Sequence, residues 1–232
     1  MRIFRYISAL LLSSFLCFQA FAQDKKTEQA PVFCGVAVMA DVAGPVMKLL
    51  DTRFHQMEVG ARLNFREHYF PIAELGVGEC DREGEENNNS FHVRAPYMRL
   101  GMDYNFNKKL NGNRFFGGLR YGFSSFRYDI QSPDFQDPVY GGPKGFKLDD
   151  QSGRMQWAEF CLGIETKLWE FIRLGWTIRF KTRLHQTGNT YGDPYYVPGF
   201  GRNASTAWGG TCNLVFDIGR KPKTKKLTIN KE

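Results

Sequence analysis

From residue 31 onward apolar residues recur at every second position, which reads as β-strand, because successive strand side chains point to opposite faces. The clearest case is 54–66, where Met57, Val59, Ala61, Leu63 and Phe65 share one face and Gln56, Glu58, Gly60, Arg62 and Asn64 the other. The same alternation predicts strands over 97–106, 115–127, 156–168, 171–183 and 206–218, with weaker ones over 32–41 and 70–79. In 32–41, Val32, Cys34, Val36 and Val38 are assigned to the apolar face. Pro71 and Pro96 are placed near strand ends, where a lost ladder bond costs least. No long helical period appears; the sole candidate is a helical turn within Pro45 to Arg53.

These eight strands run to about 10–13 residues. That exceeds the common globular length of about 5–6 and matches the ~9–11 residues of a tilted strand crossing a bilayer. Connectors alternate in length. Long ones lie at 42–53, 81–91, 129–155 and 184–205; shorter ones lie near Glu67-His68, at 107–113 and at Trp169-Glu170. Tight turns at one end and long loops at the other fit an outer-membrane barrel, closed so that no strand edge faces lipid. The predicted fold is therefore all-β, an eight-stranded antiparallel up-and-down transmembrane β-barrel. Phe65, Tyr69, Tyr104, Phe106, Phe115, Phe171 and Phe216 are expected to form an aromatic girdle at the short-turn end.

The polar face carries Glu58, Arg62, Glu74, Arg99, Asp103, Arg120, Glu159, Glu165, Lys167, Arg173, Arg179 and Lys181, interleaved with glycine. In a membrane barrel this face turns inward, and eight strands leave a lumen only wide enough for side chains. These residues are read as a lumenal ion-pair network that plugs the barrel.

Composition narrows the alternatives. A mean hydropathy of −0.41 excludes a bundle of membrane helices. The 21 Phe and 10 Tyr exclude a disordered chain. The net charge of +7 suggests nucleic acid until it is located. Arg2 and Arg5 supply +2, the tail 219–232 supplies +5, and the body is neutral. No nucleic-acid footprint is left. Residues 1–22, with an apolar run from Ile7 and the small-x-small ending Ala20-Phe21-Ala22, read as a secretory signal cleaved after Ala22. The expected layout is signal peptide 1–22, short N-terminal segment 23–31, barrel 32–218 and basic tail 219–232. Cys34, Cys80, Cys161 and Cys212 lack metal spacing and are taken as isolated small hydrophobes.

Two stretches, RAPYMRLGMDYNF (Arg94 to Phe106) and RFFGGLRYGFSSFRYDI (Arg114 to Ile130), together with the signal, give the chain its resemblance. It resembles the small eight-stranded outer-membrane barrels of Gram-negative bacteria, and looks most like the domain-of-unknown-function barrel families of the Bacteroidota. The resemblance implies an outer-membrane location, periplasmic termini, long loops outside and insertion by the barrel-insertion machinery. In such barrels an aromatic C-terminal residue is read on insertion. Here Cys212 to Phe216 are followed by the basic tail.

Site motifs are sparse. No GxSxG, HExxH, P-loop or zinc spacing occurs. His55, His68, His92 and His185 fall near strand ends, and Ser124, Ser125 and His185 are too scattered for a catalytic cluster. Neither an enzyme nor a cofactor is expected. The acidic run Asp81 to Glu86 reads as a solvated loop, with a divalent cation or lipopolysaccharide as the alternative contact. Tyr191, Tyr195, Tyr196 and Phe200 are candidate loop contacts for a glycan or protein partner, because flat aromatic surfaces bind at low entropy cost. The competing reading is a loop packed on itself over the barrel mouth. The expected role is structural or surface-interacting, with outer-membrane lipid and lipopolysaccharide as surroundings. The alternatives are a narrow channel for small solutes and an accessory barrel of a secretion machine.

Overall fold

A computed structural model describes residues 31–49, 54–83, 89–107, 113–132, 145–187 and 193–219. Ala22, Tyr191 and the tail beyond Gly219 lie outside the described residues. The elements are β1 (Phe33–Asp41), α1 (Ala43–Leu49), β2 (Phe54–Phe65), β3 (Tyr69–Glu83), β4 (Ser90–Asn105), β5 (Arg114–Ser132), β6 (Phe146–Lys167), β7 (Ile172–Gln186), β8 (Tyr196–Val197), β9 (Gly201–Arg202) and β10 (Thr206–Ile218). Eight of the strands form a closed antiparallel ring in the order β1-β10-β7-β6-β5-β4-β3-β2. β1 and β10 close it, from Val36↔Ile218 to Asp41↔Asn213.

Every strand predicted from period-two alternation is present, with differences in extent or interior detail. β5 and β6 continue to Ser132 and back from Phe146, so much of the expected 129–155 loop is ladder. β3 likewise carries Asp81 to Glu83, and β4 starts at Ser90. In these extensions the alternation is reversed, with Phe91, Val93, Phe126 and Tyr128 turned inward and His92, Arg94 and Arg127 outward, so they do not continue the apolar-out pattern of the strands below. Pro96 sits inside β4 rather than at its end. The β4–β5 ladder is interrupted between Val93↔Tyr128 and Tyr97↔Ser124, and the Ser124 hydroxyl donates to the Pro96 carbonyl at 3.1 Å. A bulge between Phe33 and Gly35 turns Cys34 inward and leaves Phe33 exposed, which reverses the face assigned to Cys34. The helix begins two residues earlier than Pro45, because Asp41 caps it by accepting from Ala43 N at 3.2 Å and Gly44 N at 3.0 Å.

The outer wall is apolar. Leu75, Leu100, Leu119, Ile164, Ile178 and Trp208 are among its exposed side chains. At the short-turn end Tyr69, Tyr104, Phe106 and Phe115 form a chain of ring contacts with centroids 5.3–5.5 Å apart, flanked by the Phe33–Phe65 pair. Inside, glycines make room for large partners: a Cβ at Gly122 would run into the Trp157 indole, and one at Gly76 into the Tyr97 ring.

Candidate functional site

The lumen is filled in three levels. Nearest the short turns, Arg62 of β2 clasps Glu165 of β6 with both guanidinium prongs, one of them at 2.7 Å. Those strands lie four apart in the ring of eight, so the pair spans the full diameter. Arg114 joins Glu165 and Asp217 at 3.3 Å each and Glu67 at 3.1 Å, and Arg173 donates to Asp217 at 2.6 Å. The Phe70 ring lies between the guanidinium carbons of Arg62 and Arg114, each 5.0 Å from its centroid. Three arginines thus meet three carboxylates. A small apolar cluster of Ala37, Met39, Ile72 and Val215 packs in the same part of the lumen.

The middle level holds the densest charge. Arg179 donates to both oxygens of Glu74 at 2.9 and 3.1 Å, to Glu58 and Glu159 at 3.2 Å each, and to Thr211. Arg99 bonds Glu58 and Glu159 and lies 3.6 Å from Glu74. Arg120 grips Asp103 at 2.6 and 2.8 Å and approaches Glu74 at 3.6 Å. The Tyr97 hydroxyl donates to Glu58 at 2.9 Å and the Trp157 indole to Glu159 at 2.6 Å. Charged groups this deeply buried are tolerated only when paired and hydrogen-bonded. Paired guanidiniums and carboxylates also fill space that water would need.

Above this lies an apolar cap: Cys80, Phe91, Val93, Tyr128, Met155 and Trp157 from the strands, with Tyr196, Val197 and Phe200 from the loop before β10. The loop turns into the barrel mouth. Gly199, at φ +81°, lies against the Tyr97 ring, and a Cβ at Gly78 would meet Pro198. Lys181 fastens the loop from below: its Nζ donates to the carbonyls of Gly199 at 2.7 Å and Phe200 at 3.1 Å.

The family model described as a domain of unknown function, DUF6048, matches residues 3–217. The chain belongs to this family. No curated protein matches it by sequence. Among solved structures, this DUF6048 chain is similar to the N-terminal β-barrel domain of Pseudomonas aeruginosa OprF, at 10% identity and TM-score 0.38, covering 79% of this chain and 97% of that one. It is similar to Yersinia pestis Ail, solved with the heparin analogue sucrose octasulfate, at 9% identity and TM-score 0.38, covering 80% and 94%. It is also similar to neisserial surface protein A, at 10% identity and TM-score 0.42, covering 82% and 100%.

Of the twelve charges read as lumenal in the DUF6048 chain, eleven are buried inside the barrel: Glu58, Arg62, Glu74, Arg99, Asp103, Arg120, Glu159, Glu165, Arg173, Arg179 and Lys181. Lys167 is the correction. It shares their parity but sits at the last position of β6, where the lumen opens, and its side chain is exposed. Lys181 is inside but acts as a loop anchor rather than an ion-pair partner. Tyr196 and Phe200 are also corrected as loop contacts, since both rings are buried in the cap, where their apolar area leaves water. Tyr195 remains half-buried, with the guanidinium of Arg82 4.5 Å from its ring centroid and that of Arg202 5.6 Å away. Sequence reasoning passed over Arg114 and Asp217, although both keep the inward parity of their strands. It had no signal for Glu67, which lies in a turn at φ +58° and reaches Arg114 from outside any strand. The histidines stay apart: His55 lies 3.7 Å from Glu79 and His92 3.9 Å from Asp81, while His68 contacts the Asn105 carbonyl. Among the described residues no three His, Cys, Asp or Glu side chains are placed to hold a metal ion.

Proposed function

We propose that this chain resides in the outer membrane of a Gram-negative bacterium as a plugged barrel, with a structural or surface-interaction role carried by the loops opposite the short turns. The observation that supports a plug is the filled lumen, in which two levels of interlocked guanidiniums and carboxylates lie beneath an apolar cap. A conducting pore needs a continuous column of water, and here guanidiniums, carboxylates and rings occupy the axis. The membrane placement draws on the inverted faces. Charges point inward while Leu119, Ile178, Trp208 and their neighbours point outward, the arrangement expected of a barrel in lipid. Soluble monomers rarely expose contiguous apolar patches beyond a few hundred Å².

In this reading the signal segment directs export, β10 presents the insertion signal, and both termini face the periplasm. The loop end meets lipopolysaccharide and any glycan or protein partner. Tyr195, held between Arg82 and Arg202, is one aromatic at that rim available for contact. The test is fractionation combined with planar-bilayer recording of the purified chain. The expected result is an outer-membrane protein whose folded form migrates faster than its heated form and conducts no ions. Recovery in the periplasmic wash would overturn the placement. Step conductances that vanish on replacing Arg120 or Arg179 would replace the plug with a channel.

A further inference from the structure

The wall of the ring has a seam beside β1. That strand ends at Asp41, opposite Asn213 of β10, and its pairing with β2 stops at Ala40↔Val59. Above this level, among the described residues, Phe54–Glu58 of β2 have a ladder partner in β3 alone, and Thr206–Cys212 of β10 have one in β7 alone. The α1 helix stands in the interval. It packs mainly on β2, with Gly44 so close to the Gln56 carbonyl that a Cβ would overlap it. On the other side it is tied to β10 by Val42 N donating to the Cys212 carbonyl at 2.7 Å. Higher on β10 come Gly209 and Gly210, which bring no side chain of their own to the space between the helix and this strand.

Two cavities converge there. On the outer wall, a groove of about 460 Å³ is lined by Phe115, Leu162, Ile164, Trp176 and Ile178. Behind the seam, a pocket of about 170 Å³ is lined by Gln56, Tyr196, Phe200, Lys181 and Arg179. Both are bounded by Ala43, Gly210 and Thr211. The charges at the inner pocket are not equivalent. Arg179 is held by three glutamates and Thr211. Asp41 accepts from Ala43, Gly44 and Cys212 N–H groups. His55 also lines the pocket and faces Glu79. Lys181 spends two of its three N–H donors on loop carbonyls and lies against the seam: a Cβ at Gly209 would come within 3.2 Å of its Cε and 3.4 Å of its Nζ.

We infer that this seam binds a fatty acid from the surrounding bilayer, its chain in the outer groove and its carboxylate passing between α1 and Gly209-Gly210 to the Lys181 ammonium. One groove matches one chain. A pocket well under half the groove's volume, with one ammonium donor to offer, matches a three-atom carboxylate better than a phosphodiester carrying two chains. The inference rests on the membrane placement above.

The experiment uses the full chain reconstituted in phosphatidylcholine vesicles and stearate carrying a nitroxide near its methyl end. The expected result is a saturable immobilised component near one per barrel, absent for the nitroxide-labelled stearyl alcohol. Lys181→Met should weaken it about tenfold or more, as loss of a charge-assisted hydrogen bond predicts. Gly210→Leu should remove it. That Leu projects outward, where a Cβ meets only the Thr177 carbonyl at 3.7 Å, so the variant keeps the lumen and its heat-modifiable migration intact. An unchanged component in folded Gly210→Leu, or equal binding of the alcohol, overturns the site. Protein that does not float with the vesicles overturns the membrane placement and the site with it. Floating protein without a saturable component overturns the site alone.

Discussion

Arg179 and Glu74 meet two-pronged from opposite walls of the barrel, Nη1 to Oε2 at 2.9 Å and Nη2 to Oε1 at 3.1 Å. Their strands, β7 and β3, lie four apart around the ring of eight. The pair is a cross-brace, and the Arg62–Glu165 pair repeats the device nearer the short turns. Replacing Arg179 by Met leaves Glu74, Glu58 and Glu159 short of a shared cation. Stranding one side of a buried pair costs about 3–5 kcal/mol. Glu74→Gln keeps hydrogen-bonding capacity and should cost less. The double variant should cost clearly less than the sum of the singles. Urea unfolding in detergent, followed by loss of the fast-migrating folded band, measures all three.

A surface pair gives the contrast. Arg127 and Asp150 are 3.0 Å apart but mostly exposed. Arg127→Ala should change stability by no more than about 1 kcal/mol. A loss as large as that of Arg179→Met would mean that burial does not set the cost.

The apolar cap makes a separate prediction. Phe200 packs on Trp157 with ring centroids 5.9 Å apart, and both are fully buried. Phe200→Ala should destabilise by about 3–5 kcal/mol and shift Trp157 emission to the red as water enters. The shift is read in a variant retaining only that tryptophan. The chain should stay non-conducting, because both charged levels lie below. Tyr195→Ala, at the rim, should leave emission unchanged.

The outer wall is tested by depth. Leu119 of β5 and Ile178 of β7 are exposed at mid-strand positions, paired to Phe160 and Leu162 of the intervening β6. Arginine at either should cost about 2–4 kcal/mol if lipid surrounds it, and near 0–1 toward an interface. Leu184, equally exposed but close to the loop end of β7, supplies the low-cost comparison. Equal tolerance at all three positions in a refolding titration would speak for water on that wall.

How much of this was legible beforehand follows from what each feature depends on. Alternation alone marked eight strands and put Glu58, Arg99, Glu159 and Arg179 on a common face, because side-chain parity is a local property of an extended chain. Net charge could be divided along the chain for the same reason. Partners were not legible. Arg62 and Glu165 lie 103 positions apart, and only ring closure and register bring them together. Parity also misled where strands end: Lys167 shares the parity of Glu165, yet one more step along β6 carries it out of the lumen. For Tyr196 and Phe200 the sequence left two readings, a contact for a partner or a loop packed over the mouth, and only the fold decided for packing, with an apolar mouth for them to fill and Lys181 to hold the loop there. The seam likewise arises because β1 is shorter than both its neighbours, a relation between three strands that no single segment contains. Local periodicity thus determined which face each side chain takes. Closure of the ring decided what that face meets, because contact across a barrel is set by register and strand length rather than by sequence spacing.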